Sequence, residues 1–363
     1  MEEARQVAAQ GHDIVHMEVG QPGTPAPAAA TERVAEAMRR GDPMGYTVAL
    51  GLPELREGIA QLYRDRHGLD LDPARVVITT GSSCGFILAF LAVFDAGNRV
   101  ALADPGYPAY RNILGALDLE VVRIETGLSS GYQPTPDLLA NAGPLDGLLI
   151  ASPANPTGTM LDRASLENLV NFCSETGAVM ISDEIYHGLS YGAQEVSALQ
   201  ISDDVIVINS FAKYFSMTGW RIGWMVVPPD LVRTIENLAQ NLFICPPHVS
   251  QVAALGALDA TEELEGHKRA YAANRSLLLD TLPNLGFRDI APADGAFYIY
   301  ADISELANDS RAFSKRLLHE AGVAATPGLD FDPVRGHKTM RFSFARTEAE
   351  IADGVRRIHK LLG

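Results

Sequence analysis

Cysteine is scarce in this chain. Three thiols, Cys84, Cys173 and Cys245, are scattered over 363 residues with no C-x-x-C pair among them. An odd, widely spaced set supports neither a disulfide framework nor a zinc site, so no metal is expected. A reducing cytoplasm suits such a chain. Basic charge is short as well: 29 Lys and Arg stand against 45 Asp and Glu, a formal net charge of −16. Nucleic-acid backbones and anionic membranes call for basic patches, so neither is expected as a partner. A small anionic ligand held by a few local arginines stays compatible with that charge. Long apolar runs are missing too; the longest, Phe86 to Phe94, is too short to span a bilayer. The first residues, Met1 to Gln6, are polar and lack the basic-then-apolar pattern of a signal peptide. A soluble, cytoplasmic protein is expected, with no internal repeat and no low-complexity segment.

What is present is an ordinary globular composition, 47% hydrophobic and 20% charged, in a chain long enough for two domains. Short apolar strands are expected at 75–79, 99–102, 119–124, 147–151, 178–182, 205–209 and 222–227. Helical patterns at 83–94, 109–117 and 165–175 lie between them. That alternation predicts an α/β fold, a mostly parallel sheet covered by helices on both faces. Beyond Pro247 the pattern changes to long helices at 250–258 and 264–282. An α+β remainder follows, with strands at 297–301 and 339–344 and helices at 311–321 and from Glu348. The expected division is a large domain over 45–262 and a smaller one over 263–363, which also takes in the N-terminal segment 1–44.

The most informative stretch is Asn209-Ser210-Phe211-Ala212-Lys213-Tyr214-Phe215-Ser216-Met217-Thr218-Gly219-Trp220-Arg221-Ile222-Gly223. Its lysine follows a buried apolar strand, with a hydroxyl three residues before it and an arginine eight residues after. A lone lysine at a strand end is ordinarily a solvated charge. On a rigid, largely apolar support, however, an amine loses its proton readily and attacks a carbonyl to form a Schiff base. Ser210 and Arg221 could bracket a phosphate on either side of it. An aldehyde cofactor carrying a phosphate, such as pyridoxal 5'-phosphate, needs both features.

The stretch resembles the Ser-Phe-Ser/Ala-Lys-x-x-x-Met-x-Gly-x-Arg-x-Gly signature of fold-type I pyridoxal-phosphate aminotransferases, class I and II, the branch of the aspartate and aromatic enzymes. The resemblance runs from about Val19 to Arg346, with motifs in the family's order. It implies that Lys213 is the catalytic residue and holds the cofactor. Thr80-Gly81-Ser82-Ser83 alone reads equally as a helix cap or as an anion site; the resemblance carries Ser82 and Ser83 to the phosphate cup with Ser210 and Arg221. Tyr107, in Asp104-Pro105-Gly106-Tyr107, takes the position whose ring stacks on the pyridine. Asn155, in a common Asn-Pro turn, is implied as a donor to the phenolic oxygen and as a substrate contact. A carboxylate ending a buried strand is costly unless paired, and the resemblance pairs Asp183 with the protonated ring nitrogen. Tyr186 would share the phenolic oxygen with Asn155. Tyr46 is implied to reach the phosphate of a neighbouring subunit. Arg341, otherwise read as an edge-facing charge on a strand, matches the arginine that clamps the substrate α-carboxylate, and Gly20 lies against the substrate.

The expected activity is transfer of an amino group from an L-amino acid to a 2-oxo acid such as 2-oxoglutarate, in a homodimer with shared sites. A β-eliminating lyase on the same scaffold is the alternative. Relatives usually carry a longer leading arm than precedes Gly20 here, which bears on how firmly such a dimer is held. Dicarboxylate-specific relatives draw an arginine from the segment after the long helix that follows the lysine motif. The corresponding stretch, Ala239 to His248, has neither Arg nor Lys. Neutral or aromatic donors are therefore expected.

Overall fold

A computed structural model describes residues 2–363. Seven strands form the main sheet: β1 (Val76–Thr79), β2 (Arg99–Asp104), β3 (Glu120–Glu125), β4 (Gly147–Ala151), β5 (Val179–Asp183), β6 (Ile206–Ser210) and β7 (Gly223–Val226). Their order across the sheet is β1-β7-β6-β5-β4-β2-β3. Neighbours run parallel except β7, which is antiparallel to both β1 and β6.

Side-chain alternation splits this sheet between two cores. Leu148, Ile150, Met180, Val207 and Trp224 point into one. Leu149, Ile181, Ile206, Ile208 and Met225 point into the other. A strand covered on both faces can be apolar at consecutive positions, which is why β6 reads as an unbroken Ile-Val-Ile. The edge strand β3 differs: Glu120, Arg123 and Glu125 are exposed on it. Charges on an open edge discourage pairing with other chains.

A second, antiparallel sheet of three strands, β8 (Tyr298–Asp302), β9 (Thr326–Pro327) and β10 (Thr339–Ser343), has the order β9-β10-β8. Arg341 on β10 lies opposite Tyr300 on one side and Thr326 on the other. Residues Val15–His16 pair in parallel with Val323–Ala324, bringing the N-terminal segment against the C-terminal part of the chain. Helices Thr261–Thr281 and Glu348–Leu362 pack on each other beside it. The latter opens on a capping box between Thr347 and Glu350, as its Thr-x-x-Glu spacing requires.

Three helices absent from the expected set, Ala28–Arg40, Pro53–His67 and Val232–Leu242, add to the covering layers. The expected helix at 311–321 is α-helical only over Ser310–Arg316 and widens to a π-turn over Leu317–Ala321. Among the described residues no helix is long and apolar enough to cross a membrane. No cluster of His, Cys, Asp and Glu there could hold a metal.

Candidate active site

Ligands in open α/β sheets gather beyond the carboxyl ends of the strands. A cavity of about 650 Å³ opens there, closed on its far side by residues of the three-stranded sheet. Ten residues marked by the sequence line it: Gly20, Ser82, Ser83, Tyr107, Asn155, Asp183, Tyr186, Lys213, Arg221 and Arg341. They come from loops and strands up to 321 positions apart, and only the fold brings them together.

Lys213 stands three residues past β6, behind the fully buried Phe211. Its Nζ donates to the main-chain oxygen of Gly20 at 2.5 Å and lies 5.5 Å from the Tyr186 ring centroid. Burial, helped by the nearby charges of Arg341 and Arg221 and opposed by Asp183, lowers its pKa to about 8. A substantial fraction of this amine is neutral near physiological pH, the state a nucleophile or base needs.

Asp183 is the last residue of β5 and is buried. Its Oδ1 accepts from the Ile185 N–H at 3.0 Å, and its Oδ2 accepts from the Tyr110 hydroxyl. Burial raises its pKa to about 6, while Tyr110, the Ile185 N–H and the charge of Lys213 pull it back. The carboxylate is therefore ionised at neutral pH, facing a cavity where a cationic partner would be stabilised.

Helix Ser82–Val93 begins at the cavity and points its first N–H groups that way. Gly81, at φ 75°, precedes it, and a Cβ there would meet Arg221 Nη2 at 2.4 Å. Glycine is what lets the guanidinium lie against this turn, forming with it a cradle for an anion. Arg221 Nη1 donates to the Thr218 carbonyl at 2.9 Å. Ser210 does not line the cavity: its Oγ donates to the Ile222 carbonyl at 3.2 Å and accepts from the Ala212 N–H at 3.0 Å.

Arg341 faces this cradle from β10. Its Nη1 donates to Asn155 Oδ1 at 2.9 Å, and its Nη2 to the Glu18 carbonyl at 2.7 Å and Thr326 Oγ1 at 3.2 Å. The guanidinium sits 4.3 Å from the Tyr298 ring centroid and 4.7 Å from that of Phe331. Its Nε is buried without a partner. Tyr186 and Tyr298 share a 2.7 Å hydroxyl–hydroxyl bond. Tyr46 lies elsewhere: it is 82% exposed, in a separate surface pocket with Cys245 and His248.

Sequence reasoning gave no role to Tyr110, Tyr298, Phe331 or the main chain of Glu18. A phenol inside an apolar strand, as in Phe297-Tyr298-Ile299, needs a hydroxyl partner, and that is the one local signal available. It also missed Arg311 and Lys315, which line the same cavity.

An amine of lowered pKa, a buried carboxylate, a glycine-lined anion cradle and a stacked arginine suit a phosphorylated aldehyde cofactor and an amino-acid substrate. The sequence matches the family described as aminotransferase class I and II over residues 12–358. The chain belongs to that family. It is an aminotransferase that uses pyridoxal 5'-phosphate, acting on amino acids and 2-oxo acids. A valine–pyruvate aminotransferase of Mycobacterium tuberculosis is 50% identical over 351 residues, covering 95% of this chain and 90% of that protein. An aspartate/prephenate aminotransferase of Thermus thermophilus is 33% identical, covering 99% and 94%. The crystal structure of an aminotransferase from Mycobacterium tuberculosis superposes with a TM-score of 0.97 at 49% identity, covering 99% of this chain and 94% of that one. Aspartate aminotransferase from Thermus thermophilus with maleate gives 0.93 at 31%, covering 99% and 95%. These relatives are all aminotransferases, and the lyase alternative finds no support among them.

Proposed function

We propose that Lys213 carries the reaction and that the preferred donor is a neutral amino acid with an apolar side chain. The observation that carries the first part is the amine itself, held on Gly20 with its pKa lowered to about 8 inside the one cavity shared by Asp183 and Arg341. Bound pyridoxal 5'-phosphate supplies an aldehyde that condenses with amines and a cationic ring that withdraws electrons from the substrate Cα. Ser82, Ser83, the first-turn N–H groups and Arg221 would hold the phosphate, with Ser210 bracing the turn that carries Lys213. Asp183 would hold the ring nitrogen's proton, Tyr107 would stack on the ring, and Asn155 and Tyr186 would bond the phenolic oxygen.

Arg341 binds the substrate α-carboxylate, and its stacking between Tyr298 and Phe331 fixes the plane of the fork. Gly20 leaves room for the substrate beside that fork. Lys213 Nζ takes the proton from the substrate Cα and redelivers it, acting first as base and then as acid.

The donor assignment is supported by the valine–pyruvate relative and by the absence of Arg and Lys from Ala239 to His248. Arg311 and Lys315 also line the cavity, as do the carboxylates of Glu3 and Asp330. A side-by-side panel of valine, alanine, phenylalanine and aspartate against pyruvate and 2-oxoglutarate tests it. Aspartate as the best donor would overturn it.

The same reading makes the enzyme a cytoplasmic homodimer, with 45–262 as the cofactor domain and 1–44 plus 263–363 as the smaller one. Support for the dimer comes from Tyr46, which is exposed and does not line its own chain's cavity. Mixing inactive Lys213→Ala with an inactive Tyr46→Phe variant restores activity if sites are shared. A fully active monomer in sedimentation rules this out.

A further inference from the structure

We propose that Tyr298 is a positioning residue that acts through Tyr186 on the cofactor's phenolic oxygen while its ring carries Arg341. The proposal rests on the role given to Tyr186 above. Tyr298 is fully buried in β8. Its hydroxyl has one hydrogen-bond partner, the Tyr186 hydroxyl at 2.7 Å, and that is also the one partner of Tyr186 Oη.

Proton counting fixes the direction of this bond. A phenol has a single hydrogen to donate. If Tyr186 gives its hydrogen to the cofactor, it can only accept from Tyr298, and Tyr298 becomes the outer donor of a two-link chain. Such chains polarise each link, so the inner hydroxyl becomes a stronger donor. Other charged and titratable groups around Tyr186 are Asp183, Arg341 and Lys213. None of them hydrogen-bonds its oxygen.

The ring of Tyr298 is held in place independently. Its centroid lies 4.3 Å from the Arg341 guanidinium, which Phe331 covers at 4.7 Å. Gly20 leaves the space the hydroxyl occupies: a Cβ there would come within 2.6 Å of the Tyr298 oxygen. One side chain thus ties the substrate-carboxylate arginine to the donor on the cofactor.

The test is the pH midpoint of the bound cofactor's absorption change, measured on the holoenzyme, Tyr298→Phe, Tyr186→Phe and the double variant. Phenylalanine keeps the ring and the packing and removes only the donor. The expected result is a midpoint raised by Tyr186→Phe, and raised by about half a pH unit by Tyr298→Phe, because one neutral hydrogen bond is lost. That second increment vanishes in the Tyr186→Phe background. The inference is overturned if Tyr298→Phe leaves the midpoint unmoved while Tyr186→Phe shifts it, or if the increment persists in full in the double variant. If neither single change moves the midpoint, the assignment of Tyr186 fails and the inference with it.

Discussion

Lys213 Nζ and the main-chain oxygen of Gly20, 193 residues apart in sequence, are joined by a 2.5 Å hydrogen bond. The amine at the end of β6 is thereby held against the N-terminal segment, and that segment forms a wall of the cavity. Gly20 also abuts Tyr298, whose oxygen would lie 2.6 Å from an added Cβ.

Gly20→Ala should therefore lower kcat/KM by about tenfold or more, since contact at that distance forces a shift. The loss should be smaller when the same change is made in a Tyr298→Phe background, where the colliding oxygen is gone. Equal losses in both backgrounds would show that the collision is not the cause.

Capture of the cofactor by cofactor-free protein should follow the neutral fraction of Lys213. With a pKa lowered to about 8, the rate should rise about tenfold per unit below that value and level off above it. Stopped-flow absorbance from pH 6 to 10 reads this directly. A rate still climbing tenfold per unit at pH 10 would mean an amine with an ordinary lysine pKa.

Tyr110 and the Ile185 N–H hold the pKa of Asp183 down against burial. Tyr110→Phe removes one of them, so the pKa should rise above about 6 and the acid limb of the kcat/KM profile should move to higher pH. Asp183→Ala should cost several orders of magnitude at every pH, with weaker cofactor retention. A Tyr110→Phe profile superposable on the parent, or an Asp183→Ala variant within tenfold of it, would assign these residues to the fold alone.

Neutral donors should exceed aspartate by about tenfold in kcat/KM, roughly 1.4 kcal/mol in transition-state stabilisation. Initial rates with one common acceptor decide this.

Much of the fold was legible because burial imprints a simple pattern. The Ile-Val-Ile of β6 and Leu-Leu-Ile of β4 read as strands covered on both faces. Helices Ala28–Arg40 and Pro53–His67 went unread although Gly41 and Gly68 close them in the left-handed conformation and Pro53 opens the second. Residues of the site that carry motif spacing, Lys213, Asp183 and Arg221, could be picked out locally. Tyr110 and Tyr298 could not, because their partners lie 73 and 112 positions away. Ser210 illustrates the converse: its hydroxyl is taken up by the turn after β6, a use that spacing does not reveal.

The chain offers a clean choice of lysines for the chemistry. It contains five lysines, Lys213, Lys268, Lys315, Lys338 and Lys360, of which Lys315 also lines the cavity. Borohydride reduction of the holoenzyme followed by peptide mass mapping identifies the lysine that carries the cofactor. One modified peptide is expected, the one containing Lys213, and none in Lys213→Ala. Cofactor mass on Lys315, or retained in the Lys213→Ala protein, would contradict it.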